Sequence, residues 1–206
     1  PDLSGNNGYL TLGYGNYDTI KAEGAVELTL AEDKAGIRAA FTRSKGDGYT
    51  FNPTQNLDFG TTDSIAGRIS LRFKPVDTID INLKAYYAKN DPRQDLPYGI
   101  GYLQGRTDAG GYSRFDPRPE LGGRLLKRNE VQSDTGGEYF TRSKGLSLNI
   151  DAELGNDLTL TSITGLRDNK YSFTGEFDGT PQPVANDVYS VKQRQWTQEP
   201  RLSSHT

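Results

Sequence analysis

Between Asn90 and Thr141 the chain interleaves flat aromatic side chains with forked cationic ones. Tyr98, Tyr102, Tyr112 and Phe115 alternate with Arg93, Arg106, Arg114, Arg118, Arg124 and Arg128. Aromatic rings stack on planar apolar groups, and guanidinium forks grip anionic oxygens in pairs. Together they suit an anionic, partly apolar ligand such as a metal chelate. A structureless connection this long inside a compact domain is usually functional or disordered. The candidate ligand contacts are Tyr98, Tyr102, Arg106, Tyr112, Arg114, Phe115 and Arg118. The plain alternative is a solvated loop, because Asp91, Asp95, Asp108, Asp116, Glu120 and Glu130 offset the arginines and prevent a strong positive field.

Other chemistries are poorly provided for. The chain has no Cys, which removes disulfide scaffolds, thiol catalysis and thiolate zinc sites together. His205 is the sole His and has no second ligand nearby, so neither a metal site nor a catalytic triad is expected on it. Asp151 and Glu153 share one strand face and would be acid and base in a glycosidase; hydrated groups on the wet side of a wall are the favoured reading. Gly99-Ile100-Gly101 has neither the spacing nor the strand-to-helix setting of a phosphate loop and reads as turn glycine. Asn52-Pro53-Thr54 is no glycosylation acceptor, since proline holds the middle position. The expectation is a non-enzyme with no catalytic residue, metal ligand or cofactor.

The elements that must position the loop are strands. Ile20, Ala22, Gly24, Val26, Leu28 and Leu30 alternate with Lys21, Glu23, Glu27 and Thr29. The same period of two runs through Ile37–Phe41, Ile65–Phe73, Ile79–Tyr87 and Leu146–Leu154, with Arg38, Arg68, Arg72, Lys84 and Asp151 on the polar phase. Tyr9–Tyr14, Leu158–Phe177 and Val188–Leu202 alternate less cleanly, and a bulge near Ser162 is expected where Leu160 gives way to Ile163. About eight strands result. Several exceed the usual five or six residues of globular strands and reach the roughly nine to eleven that a tilted membrane strand needs. Register is well specified, because a one-residue slip would turn Arg68, Arg72 and Lys74 to the apolar side together.

Connection length is segregated by end. Ala31-Glu32-Asp33-Lys34, Lys74-Pro75-Val76-Asp77 and Gly155-Asn156-Asp157 are short, whereas Lys45–Thr62, Asn90–Thr141 and Asp178–Asp187 are long. Gly15-Asn16-Tyr17-Asp18 is the one short connection on the long-loop side. A membrane barrel explains the segregation, since one rim faces a quiet compartment and the other reaches outward. Composition agrees. Only 33% of residues are hydrophobic and mean hydropathy is -0.73, lean for a large dry core but ordinary for a wall with a polar inside. The net charge of -3 argues against nucleic acid. No apolar run is long enough for a membrane helix. Tyr9, Tyr14, Tyr86, Tyr87, Tyr171, Phe173 and Trp196 are candidates for interfacial girdles or for the inner surface.

Four stretches carry a family resemblance. Gly13-Tyr14-Gly15-Asn16-Tyr17 resembles the first barrel hairpin of TonB-dependent outer-membrane receptors. Gly36-Ile37-Arg38-Ala39-Ala40-Phe41 with Gly46-Asp47-Gly48-Tyr49 is similar to the third strand and its loop. Leu158-Thr159-Leu160-Thr161-Ser162-Ile163-Thr164-Gly165-Leu166-Arg167 and Gln195-Trp196-Thr197-Gln198-Glu199-Pro200-Arg201-Leu202-Ser203-Ser204 resemble two later strands, in the family's order. Pro200 departs from the pattern and puts local pairing in question. The resemblance implies an all-β antiparallel meander, residues 1–206, forming part of a plugged barrel of about 22 strands. Plug and remaining barrel would lie outside this chain, which also lacks an opening Met and a secretory leader and so reads as a fragment. It further implies the outer membrane of a Gram-negative bacterium, its lipid as solvent, the receptor's own plug and TonB as partners, and uptake of a scarce solute, foremost a ferric siderophore. Lys21, Glu23, Arg38, Arg68, Arg72 and Lys84 would face the lumen and plug. The alternatives are a complete eight-stranded outer-membrane barrel with a structural or adhesive role, and a soluble β-sandwich of the carbohydrate-binding kind.

Overall fold

The computed structural model describes residues 1–96 and 118–204. It is all β. Eight long strands form one antiparallel sheet: β1 (Asn7–Gly15), β2 (Thr19–Ala31), β3 (Ala35–Gly46), β6 (Thr62–Val76), β7 (Ile79–Asn90), β8 (Tyr139–Gly155), β9 (Leu158–Glu176) and β10 (Asn186–Ser204). They lie side by side in chain order. The only other strands among the described residues form a small separate hairpin, β4 (Thr50–Asn52) with β5 (Leu57–Phe59), inside the connection from β3 to β6. That long connection therefore has structure of its own.

Two hairpins turn on consecutive left-handed residues, Tyr17 and Asp18 at φ 58° and 48°, Asn156 and Asp157 at φ 48° and 58°. This backbone matches the twist of the flanking strands, and Asn and Asp tolerate it because their short polar side chains bond locally. Each short turn at the opposite end from the loops is preceded by a register shift, between Thr29 and Ala31, Phe73 and Val76, and Glu153 and Gly155. An extra residue there sharpens the twist as the chain reverses.

The bulge expected near Ser162 is absent. Pairing of β8 with β9 runs unbroken from Glu153↔Thr159 to Tyr139↔Phe173, and β9 with β10 from Leu158 to Glu176. Ile163 therefore turns to the polar face, between Asn149 and Glu199. Backbone pairing on both sides of β9 holds the phase, and one misplaced aliphatic side chain costs less than ladder bonds lost to two neighbours. Pro200 does not interrupt pairing either. It sits opposite Ser162 on β10, an edge strand, where a residue without an N–H is tolerated.

β1 and β10 do not pair, so the eight strands do not close on themselves as a complete small barrel would. Nor, among the described residues, does a second sheet cover them as in a sandwich. Ile69, Leu71, Ile81 and Leu83 share one phase, and Ile69 is 54% exposed. The buried apolar residues are few. Phe59, Leu96 and Val131 cluster among the loops, not against the sheet.

Candidate functional site

The site has three parts: two chemically opposite sheet faces and a cap of loops at one end. Register fixes the faces, since paired residues in adjacent strands point the same way. One row crosses Leu28, Ile37, Leu71, Leu83 and Leu148. The next crosses Val26, Ala39, Ile69, Ala85, Leu146, Leu166 and Trp196. These rows are an apolar belt with no protein over it among the described residues.

The opposite face collects the charges. Lys21, Glu23, Arg38, Arg68, Arg72 and Lys84 all lie on it. Arg38 donates to buried Glu27 at 2.8 Å. Asp80 and Asp151 stand directly opposite one another, an unfavourable pairing for like charges. Each has its own remedy. Arg72 grips Asp80 with Nε at 3.0 Å and Nη2 at 2.6 Å, and Asn82 donates to it at 3.0 Å. Asp151 accepts from Thr161 at 2.6 Å and Asn149 at 2.8 Å. The face is thus a hydrogen-bonded polar lattice at its short-turn end. Asp151 is engaged there by Thr161 and Asn149.

Toward the loops the polar face becomes aromatic. Tyr139 meets Tyr171 edge-on with ring centroids 5.6 Å apart, and Tyr171 meets Tyr189 at 5.8 Å. The three come from β8, β9 and β10, and Phe173 lies between Tyr139 and Tyr189 in register. Of the girdle candidates, Tyr14, Tyr87 and Trp196 lie on the apolar face, while Tyr9, Tyr86, Tyr171 and Phe173 lie on the polar one. Tyr139 and Tyr189 were not candidates by sequence. Their shared phase with Tyr171 could be found only once the register across three strands was known.

The cap consists of residues 47–61, 91–96, 118–138 and 177–185, and its described parts are knit together. Phe51 N–H donates to Asn129 O at 2.8 Å, and Val131 N–H to Phe51 O at 2.9 Å. Thr61 N–H donates to Arg93 O at 3.0 Å. Asn52, fully buried, donates from Nδ2 to Ser133 O at 3.1 Å, and Ser133 Oγ donates to Glu176 at 3.0 Å. Gly137 lies at φ +62°, and a Cβ there would meet the Phe59 ring at 2.6 Å, so only glycine lets this loop close on Phe59. The described parts of the long connection, 91–96 and 118–138, are therefore built into the cap. Asn52, Gln132 and Ser133 are buried polar anchors with no sequence signal beyond their residue types.

Of the ligand-contact candidates, Tyr98, Tyr102, Arg106, Tyr112, Arg114 and Phe115 lie outside the described residues. Gly99 to Gly105 and His205 lie outside them as well. Arg118 is described; its carbonyl accepts from Leu121 N–H at 3.2 Å and Gly123 N–H at 2.8 Å, a tight turn. Among the described residues no group of three His, Cys, Asp or Glu is placed to hold a metal ion.

Glu130 is the cap's electrostatic keystone. It is 4% exposed, accepts from Arg124 Nη1 at 2.6 Å and from Lys127 N–H at 3.0 Å. The Arg124 hydrogen bond holds its carboxyl below the usual carboxylate range, against the opposing pull of burial. A depressed folded-state pKa contributes stability above the unfolded value and loses it as pH falls through the folded one. Proteolytic nicking of residues 118–138 is therefore expected to rise as pH drops below about 4. Glu130→Gln should flatten that acid limb, and an unchanged limb in the variant would assign it elsewhere.

Comparison with protein-family models, with curated proteins and with solved structures returns no match.

Proposed function

We propose that the chain is part of the barrel wall and outer loops of a TonB-dependent receptor in the outer membrane of a Gram-negative bacterium. The observation that carries the reading is the uncovered apolar belt backed by a charged lattice on the same strands. Water makes such a belt costly, at about 25 cal/mol for each Å² left exposed; acyl chains remove that cost. Three further features support it. The strands are long, 17 residues in β8 and 19 in β9 and β10. The large connections gather at one end. Among the described residues both sheet edges are unpaired, as expected for one arc of a larger closed wall of about 22 strands.

In this reading the short turns face the periplasm and the cap faces outward. Lys21, Glu23, Arg38, Arg68, Arg72 and Lys84 meet the receptor's plug, and TonB pulls on that plug rather than on this chain. The imported solute is large and scarce, a ferric siderophore foremost. It would meet the cap first, then the Tyr139–Tyr171–Tyr189 ladder, whose rings offer flat surfaces to a planar ligand. No step is catalytic: affinity outside and plug movement inside suffice for transport.

The test uses the absence of cysteine, which makes each introduced thiol unique in the chain. Leu71→Cys and Leu83→Cys on the belt, and Asn82→Cys and Ser147→Cys on the lattice, are labelled with a fluorophore in the membrane-bound protein. Belt labels should be quenched by a lipid-dissolved quencher and lattice labels by a water-soluble one. Equal quenching of both sets by the aqueous agent would discard the membrane reading.

A further inference from the structure

Among the described residues of the cap, one side-chain oxygen is enclosed and has no donor: Oδ1 of Asp134, in the 118–138 segment. Its companion Oδ2 accepts from Asn186 Nδ2 at 2.6 Å. What stands at hydrogen-bond range of Asp134 is a second carboxyl, that of Glu176. Glu176 ends β9, well past the last belt row at Leu166, and is only 3% exposed. Its Oε1 accepts from Asp178 N–H at 2.9 Å and Gly179 N–H at 3.2 Å, and its Oε2 from Ser133 Oγ at 3.0 Å.

Two ionised carboxylates do not suit this place. Neither has a hydrogen to offer the other, and enclosure keeps water from both charges. Nothing positive offsets them. Asp178, from the 177–185 connection, adds a third negative charge, and its own oxygens are taken by Thr180 N–H at 2.9 Å and Ala185 N–H at 2.8 Å. Asn186 of β10 and Asn52, which reaches Ser133 O, are neutral. No cation among the described residues pairs with Glu176, Asp134 or Asp178. One proton resolves the clash. Placed between Asp134 Oδ1 and the Glu176 carboxyl, it gives the enclosed oxygen a donor and removes one charge. Ser133 and the two backbone N–H groups keep their bonds.

We propose that Glu176 and Asp134 share a single proton in the closed cap, and that its loss as pH rises unfastens the 177–185 connection from the 118–138 segment. The pair is a pH-operated latch, and its titration belongs to both residues together. Burial, foremost, pushes the Glu176 carboxyl above its usual range. A raised folded-state pKa stabilises the closed form below the unfolded value, and that contribution is lost as pH climbs through the folded one. The sense is opposite to that of Glu130, which grips at neutral pH and lets go in acid. The two carboxyls together confine the fastened cap to a mildly acidic window. Gly179 and Thr180, buried while the latch is shut, become accessible when it opens. The device lies wholly in the cap and works whether the wall is surrounded by lipid or by water.

The test compares the intact protein with Glu176→Gln and Asp134→Asn, in each of which an amide group supplies a permanent donor in place of the proton. Infrared difference spectra are taken at about pH 6.5, above the range in which ordinary carboxyls titrate. The wild type should show the carbonyl stretch of a neutral carboxylic acid, shifted in heavy water and missing from both variants. Its absence from the wild type overturns the shared proton. Amide exchange, corrected for the intrinsic effect of pH, reads the latch itself. In the wild type the opening of residues 133–135 and 177–185 should grow by up to about tenfold per pH unit once the pair ionises, the slope of one released proton. In Glu176→Gln the same opening should stay level across that range. A level wild type, or a variant that keeps the slope, overturns the latch.

Discussion

Ile69→Arg is expected to lower the stability of the vesicle-inserted protein by about 2–4 kcal/mol, the cost of a cationic side chain near the bilayer midplane. Ile69 is a discriminating position because it lies mid-strand on the belt and is 54% exposed in the chain by itself. In water an arginine at such a place changes stability by no more than about 0.5 kcal/mol. Only a surrounding solvent unable to hydrate the guanidinium produces the larger figure. Thr42→Arg, opposite Glu23 on the other face, serves as the control and should be near neutral. Urea unfolding from lipid vesicles reads both. A small effect at Ile69, equal to that at Thr42, would return the apolar belt to water and remove the membrane reading.

Phe59→Ala is expected to unfasten the cap without melting the wall. Phe59 is fully buried among Leu57, Leu96 and Val131, and truncating a buried phenylalanine costs about 3–5 kcal/mol. The cap has no other apolar cluster of that kind among the described residues. The cost should therefore fall on local opening, with lost amide protection in residues 47–61 and 118–138 and retained protection in β6, β7 and β8. Loss of protection throughout the sheet would show that the cap and wall fold as one unit.

How much of this was legible in the sequence depends on where the physics is local. Alternation in Ile65–Phe73 and Ile79–Tyr87 gave both faces, because the pleat has a period of two and nothing in those stretches contradicts it. The short turns were legible from Asn156-Asp157 and their like. β9 was misread at Ile163, since its phase is set by hydrogen bonding to two neighbours that sequence alone does not align. The β4–β5 hairpin escaped notice because three-residue strands carry no period. The cap escaped for a different reason. Asn52, Gln132 and Ser133 are buried polar residues whose hydrogen bonds cross between loops, Asn52 to Ser133 O and Gln132 to Thr54, and no local pattern encodes such partnerships.

The chain-order pairing of the long strands also bears on how a wall of this type changes size. Every long strand touches only its predecessor and successor along the sheet. An adjacent up-and-down pair such as β6 with β7 could be deleted or duplicated, and the newly apposed neighbours would still run in opposite directions. In the membrane wall proposed above, every outer loop would remain outside. Loss or gain of a single strand would send each later loop to the wrong compartment. Circumference in such a lineage is therefore free to drift, but only in steps of two.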